Sequence, residues 1–320
     1  MGARFYFLIS LLWFATTALF SAETDIPLPK AMASLGDSIS EGMLSEFSLE
    51  DPPSHWQVLH LITLSMKEHR GDSEERIKAF RKVYAAPKHS WAAGEEESDL
   101  IESHAERLKV YNPDLKVSNF SISGARSKHL YKQTAALLED EDRNQIHYDY
   151  IAMMMGANDV GTETVEEMTT PFQFIGNIED NLRLLLNKNP DRRILILGLP
   201  QIEKIFQNSV DLVAYSLPFY KFKCAEIRDL IYGPLVLFHP ENTSAYETAR
   251  NILKLYRSGM ENLVTQLQED YPQAHIKTVQ GYEAKMPIVK TLSIDCFHPS
   301  FWGQAQLAET SWKLGFWPQR

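Results

Sequence analysis

Short apolar runs alternate along the chain with longer stretches in which apolar residues return every three or four positions. The runs KAMASLG (30–36), LKVSNFSIS (115–123), YDYIAMMMG (148–156), RRILILGLP (192–200) and AHIKTVQG (274–281) predict five strands. Helical periodicity predicts helices over about 54–69, 97–109, 127–140, 172–188, 244–269 and 300–314. The third and fourth runs are almost continuously apolar, as strands covered on both faces should be. Strand and helix in alternation imply an α/β fold, a parallel sheet with helices on both sides. The stretch from about 45 to 114 is too long for a simple crossover. With DPP, HRGDSEER, APKHSWAAGEEES and YNPD in it, it reads as a helical and loop insertion within a single domain spanning 23–320.

The start of the chain, MGARFYFLISLLWFATTALFSAE, follows Arg4 with an apolar run from Phe5 to Phe20 that ends in small residues. This layout predicts a signal peptide over residues 1–22 and a secreted or periplasmic protein. The run is short for a membrane span, which needs about 20 apolar residues. Cleavage after Ala22 would leave Phe20 where a small residue is usual, so an uncleaved anchor is the alternative. In an exported chain the two cysteines, Cys224 and Cys296, suggest one disulfide, with two free thiols as the other reading. Such a bridge would close a loop of roughly 70 residues, worth about 4 kcal/mol in the chain-entropy model. A net charge of −10, from 32 basic and 42 acidic residues, argues against nucleic acid as a partner.

Ligands of parallel sheets bind beyond the carboxyl ends of the strands. GDSISEG follows the first run and presents Ser38 on a tight turn, where a helix cap is the plainer reading. SISGARS follows the second and offers the Gly124 N–H; GANDV follows the third and offers the Asn158 amide. Near the other end, SIDCFHPSFWGQ sets Asp295 three residues before His298, and Pro299 keeps His298 extended at a loop-to-helix junction. Together these are the parts for acyl transfer. Ser38 would attack a carbonyl, His298 would take and return the proton, and Asp295 would orient the imidazole. The oxyanion would fall to the Ser38 and Gly124 N–H groups and the Asn158 amide. That chemistry requires no metal or organic cofactor. The G-x-S-x-G elbow of the other large serine-hydrolase class is missing.

In these blocks the sequence resembles the SGNH (GDSL) hydrolases: GDS with Ser38, ISGA with Gly124, GAND with Asn158, and DCFH with Asp295 and His298. DCFHPSFWGQAQLAETSW, SWAAG (90–94) and YNPDLKVSNFSISGARS (111–127) are similar to its phospholipase B branch. The resemblance implies a flavodoxin-like three-layer α/β/α sandwich with a five-stranded parallel sheet. It also implies an exported serine esterase or lipase that hydrolyses phospholipids or lysophospholipids through an acyl-enzyme. Its partners would be a small-molecule or lipid ester and, transiently, a membrane or micelle surface. A carbohydrate or cell-wall O-acetyl esterase on the same machinery is the alternative, and an inactive binding module the third reading. The sequence departs from the family at Ile39, in place of Leu, a trivial apolar swap, and at Gly303-Gln304, where the branch often has Gly-His, which reads as away from the chemistry.

Other features read as structure. His55, His60 and His69 predict helix-surface histidines, and EEES (95–98) a solvated loop. SLPFYKF (216–222) and LIYGPLVLF (230–238) predict either an acyl-chain pocket or core packing. Asn242-Thr-Ser is a glycosylation sequon, relevant only in a eukaryotic host.

Overall fold

Five parallel strands form one sheet in the spatial order β2-β1-β3-β4-β7, and a separate antiparallel hairpin, β5–β6, stands apart from it. The strands are β1 (Ala31–Gly36), β2 (Lys116–Asn119), β3 (Tyr150–Met154), β4 (Arg193–Leu197), β5 (Val213–Leu217), β6 (Tyr220–Lys223) and β7 (His275–Val279). The computed structural model describes residues 26–51, 54, 56–57, 59–60, 63, 81–96, 100–282 and 287–318. The N-terminal apolar segment, most of the helix expected at 54–69, His55, His69 and Glu97–Ser98 lie outside these residues.

Strand order follows burial. β1, β3 and β4 are buried at every position, whereas β2 and β7 alternate or are half-exposed, so the two least apolar strands take the edges. Counted within the sheet, the order is the doubly wound flavodoxin-like 2-1-3-4-5.

Helices cover both faces. The sequential elements are α1 (His104–Lys109), α2 (Leu130–Asn144), α3 (Ala157–Val160), α4 (Pro171–Lys188), α5 (Ile202–Ser209), α6 (Cys224–Tyr232), α7 (Thr243–Asp270), α8 (Ile288–Thr291) and α9 (Phe301–Lys313). α2, α4 and α7 pack side by side as one layer. α1 and α9 belong to the other layer, where the His104 ring bridges Tyr150 Oη of β3 (2.6 Å) and Ser311 Oγ of α9 (2.8 Å). Burial, helped by the Arg107 charge, pushes His104 down to about 3, so it bridges as a neutral imidazole. Local signals fix where helices begin: Thr170 and Gln173 make a capping box ahead of Pro171, and Ser300 caps α9 through the Gly303 N–H.

The five expected strands are all present but shorter. β2 stops at Asn119 because the Asn119 side chain takes the Ser121 N–H (3.0 Å) and bends the chain, although Ile122 still donates to the Gly36 carbonyl (3.1 Å). The periodicity does not predict α3, α5, α6 and α8, of which α3 and α8 are single turns too short to show it. SLPFYKF packs against the core only through Phe222, which meets the smaller cluster around Cys224 and Cys296. It is most of the β5–β6 hairpin, with Leu217, Phe219 and Tyr220 exposed. LIYGPLVLF does pack inside, through Ile231, Val236, Leu237 and Phe238.

One buried ion pair ties α2 to the strand β4. Arg192, fully buried, makes a two-pronged pair with Glu141 (2.8 and 2.9 Å) and donates to the Leu185 carbonyl. Burial alone would raise the Glu141 carboxyl, but hydrogen bonds from His147 and Arg192 outweigh it and hold the group at about 2. A carboxyl depressed in the folded state stabilises fully above its ordinary value of 4.5 and progressively less as pH falls toward about 2. Arg192→Leu strands that carboxylate and should cost about 3–5 kcal/mol in denaturant unfolding at pH 7. The deficit should shrink as the pH is lowered from 4.5 toward 2.

Candidate active site

The turn after β1 is built around a residue that must be glycine. Gly36 has φ 153°, and a Cβ on it would stand 2.4 Å from the Met154 carbonyl oxygen. Gln133 of α2 brackets the same peptide, accepting the Gly36 N–H (2.8 Å) and donating to the Gly36 carbonyl (2.7 Å). Asp37 folds its Oδ1 back onto the Ile39 N–H (3.0 Å), while its Oδ2 is buried with no hydrogen-bond partner. Burial pushes this carboxyl up to about 7. Ser38 comes next, with Oγ 2.8 Å from Nε2 of His298, a residue 260 positions away.

The segment that carries His298 is a closed loop. Ser293 N–H donates to the His298 carbonyl (2.8 Å) and Ser300 N–H to the Thr291 carbonyl (2.9 Å). Inside it Cys296 adopts a left-handed conformation (φ 57°), unusual for a residue with a side chain, and is bonded to Cys224 at the start of α6. The expected disulfide is therefore present, with a Cα–Cα distance of 5.4 Å. The tight turn lets Asp295 Oδ1 accept the N–H groups of both Phe297 and His298 (3.1 Å each). Asp295 Oδ2 accepts from His298 Nδ1 (2.6 Å) and from the Tyr232 hydroxyl (2.6 Å). Burial pushes the carboxyl up, but the His298 charge and hydrogen bond and the Tyr232 and Phe297 donors overcome it and hold it below its ordinary value. With Nδ1–H committed to Asp295, Nε2 is left to accept the Ser38 proton.

Gly124 and Asn158 stand on either side of this turn. β1 pairs with β3 through Gly36 and Met154, and the chain beyond β2 stays alongside β1 as far as the Ile122–Gly36 hydrogen bond. Gly124 has φ 75°, natural to glycine, and directly follows Ser123. Asn158 Nδ2 donates one hydrogen to the Ala125 carbonyl (3.0 Å), and the neighbouring Asp159 takes the Ser127 N–H (2.8 Å) and hydroxyl (2.7 Å). The two donor loops are thereby stitched to each other. All five residues singled out in the sequence lie around the carboxyl ends of β1 to β3 and the loop before α9.

Four supporting residues escaped the sequence reading. Glu41, buried, accepts from Ser123 N (3.0 Å), Ser123 Oγ (2.5 Å) and Arg81, joining the Ser38 turn to the Gly124 loop. Gln304 is not remote from the chemistry: its amide donates to the Ile39 carbonyl (2.9 Å) and accepts the Trp91 N–H (3.1 Å). Trp91, from the long insertion, donates its indole N–H to Ser40 Oγ (3.3 Å). Tyr232 binds Asp295. A carboxylate three residues after the serine was visible in GDSISEG; nothing in the sequence pointed to Tyr232. Among the described residues no group of three or more His, Cys, Asp or Glu side chains could hold a metal ion. His60 is exposed and pairs with the Tyr84 hydroxyl (3.1 Å).

An apolar cavity of about 60 Å³ is lined by chain neighbours of two of the site residues. Ile39, which follows Ser38, and Phe297, which precedes His298, line it together with Met154, Phe206, Leu292 and Leu307.

Residues 32–310 match the family model described as GDSL-like lipase/acylhydrolase. No curated protein matches the chain in sequence. Among solved structures the chain is similar to TesA at 16% identity (89% of this chain and 97% of that one, TM-score 0.44). It is similar to a mutant of Axe2, an acetyl-xylooligosaccharide esterase from Geobacillus, at 16% identity (92% and 96%, TM-score 0.41). A family two carbohydrate esterase from Clostridium thermocellum, solved with cellohexaose, is 14% identical (90% and 64%, TM-score 0.46).

Replacing Cys224 and Cys296 by alanine together opens a loop with a sequence separation of 72. The double variant should lose about 4 kcal/mol in denaturant unfolding. Wild type in reductant should fall to the same midpoint, whereas an unchanged midpoint would show that the bridge adds nothing to stability.

Proposed function

The chain belongs to the GDSL-like lipase/acylhydrolase family and is an ester hydrolase, and from that premise we propose that it is an exported serine lipase acting on phospholipids or lysophospholipids. The observation that carries the mechanism is the unbroken hydrogen-bonded series Ser38 Oγ, His298, Asp295. In this reading Ser38 Oγ attacks the acyl carbonyl carbon while His298 Nε2 takes its proton. Asp295, ionised and fixed by backbone donors, balances the imidazolium. The tetrahedral oxyanion lies against the Ser38 and Gly124 N–H groups and the second amide hydrogen of Asn158, the first being held by Ala125. Collapse expels the alcohol, which receives the proton from His298. Water then attacks the acyl-serine by the same proton route and releases the carboxylic acid.

Lipid is favoured over a sugar ester by the apolar cavity that Ile39 and Phe297, chain neighbours of Ser38 and His298, help to line, which suits an alkyl chain. The hairpin tip adds to this: Phe219 is fully exposed, flanked by exposed Leu217 and Tyr220 and by Lys221. An exposed apolar cluster of this kind suits a lipid interface. The hairpin runs directly into α6, and so into the Cys224–Cys296 bridge. Export is supported by the disulfide together with the N-terminal apolar run over 1–22, which we take as a signal peptide.

Acyl release should be measured on phosphatidylcholine, lysophosphatidylcholine and an acetylated sugar side by side. Fatty acid released by wild type, with Ser38→Ala slower by at least about a thousandfold, is the expected result. Acetate release alone would keep Ser38 and replace the lipid substrate by a carbohydrate ester. Phe219→Ser should lower turnover on phosphatidylcholine vesicles several-fold. It should leave hydrolysis of a short, monomeric soluble ester unchanged; equal effects on both would remove the interfacial role.

A further inference from the structure

One face of α6 meets the acid–histidine loop at both of its ends. Cys224, Arg228 and Tyr232 recur every four residues and so project from the same side of the helix. Cys224 is bonded to Cys296, between the acid and the histidine. Arg228 is fully buried, with its guanidinium over the rings of Phe206 (5.3 Å) and Phe238 (5.2 Å) and one nitrogen on Ser209 Oγ (2.7 Å). Tyr232 ends the series with its hydroxyl 2.6 Å from Asp295 Oδ2 and 3.3 Å from His298 Nδ1.

We propose that Tyr232 is a positioning residue for the hydrolase reaction, acting through Asp295 and held in place by the Cys224 and Arg228 anchors of α6. The inference rests on the Ser38–His298–Asp295 reading of the site. Asp295 Oδ2 receives two donors at equal distance, the His298 Nδ1–H and the Tyr232 O–H. The tyrosine fixes the carboxylate's orientation and shares its charge, so the imidazolium formed when Ser38 gives up its proton does not face the full negative charge. This keeps His298 ready to release the proton to the leaving alcohol instead of being trapped as a tight ion pair. The ring has a second, purely structural role against Phe297, 5.0 Å away between centroids. Tyr232→Phe preserves that packing and removes only the hydroxyl.

Arg228 acts on Asp295 and the Asp37 carboxyl on His298; both groups remain in the variants. With the hydroxyl gone, Oδ2 keeps only the imidazole as a side-chain donor and carries its charge undivided beside that ring. The test is the rate at which an uncharged fluorophosphonate labels Ser38, followed by mass spectrometry across pH in wild type, Tyr232→Phe and Tyr232→Leu. The acid limb of the labelling rate should move up by about one pH unit in Tyr232→Phe, with an unfolding midpoint close to wild type. Tyr232→Leu should show the same limb shift with a lower midpoint. Superimposable profiles for wild type and Tyr232→Phe, or a shift confined to Tyr232→Leu, would overturn the inference, because the ring and not the hydroxyl would then matter. Wild-type protein that takes no label at Ser38 overturns the hydrolase reading and this inference with it.

Discussion

A carboxylate without access to water persists only where protein donors replace its hydration. Asp295 is completely buried, and four donors surround it: two backbone N–H groups on Oδ1, an imidazole and a phenol on Oδ2. The backbone pair is available only because the chain turns sharply at Cys296, in a conformation seldom taken by a residue with a Cβ. The disulfide to α6 holds that turn, and α6 also supplies the phenol. Charge satisfaction, backbone strain and the covalent bridge are thus one arrangement.

The nucleophile side shows the same over-determination from different sources. The few residues from Gly36 to Glu41 are gripped by Gln133 from α2, Asn119 from β2, Trp91 from the insertion and Gln304 from α9. A serine on a turn held from four directions has little freedom to wander from the histidine, and position within about half an ångström is what proton transfer and attack need. From the chain between β1 and β2, Ser90 and Trp91 buttress this turn, with Ser90 Oγ on the Ser40 carbonyl (2.7 Å).

Net charge shapes the proposed encounter with lipid. At −10 the protein gains nothing from an anionic surface, so contact with an interface must come from apolar burial. The exposed Phe219 tip lies on the surface, and the apolar cavity is lined by Ile39 and Phe297, the chain neighbours of Ser38 and His298. Between them runs a covalent path from the hairpin through α6 and the disulfide to the loop of His298.

The parallel α/β layout was legible in the sequence, because near-continuous apolar runs such as RRILILGLP, as expected of strands covered on both faces, alternate with helical periodicity. The sequence also marked Ser38, Gly124, Asn158, Asp295 and His298, because turn chemistry after a strand and an acid–histidine pair before a proline are local signals. It left the cysteine pair open, and it did not announce the hairpin of SLPFYKF, where Leu217 and Phe219 face solvent and Phe222 packs against the smaller core cluster. The tertiary structure alone decided that Tyr232, Glu41, Gln304 and Trp91 converge on the site, and that Cys224 meets Cys296. Such partners lie tens to hundreds of residues apart, and their hydrogen bonds depend on where whole elements pack. A linear pattern records which residues can turn, pair or be buried, and it carries no record of which distant side chain will arrive to satisfy them.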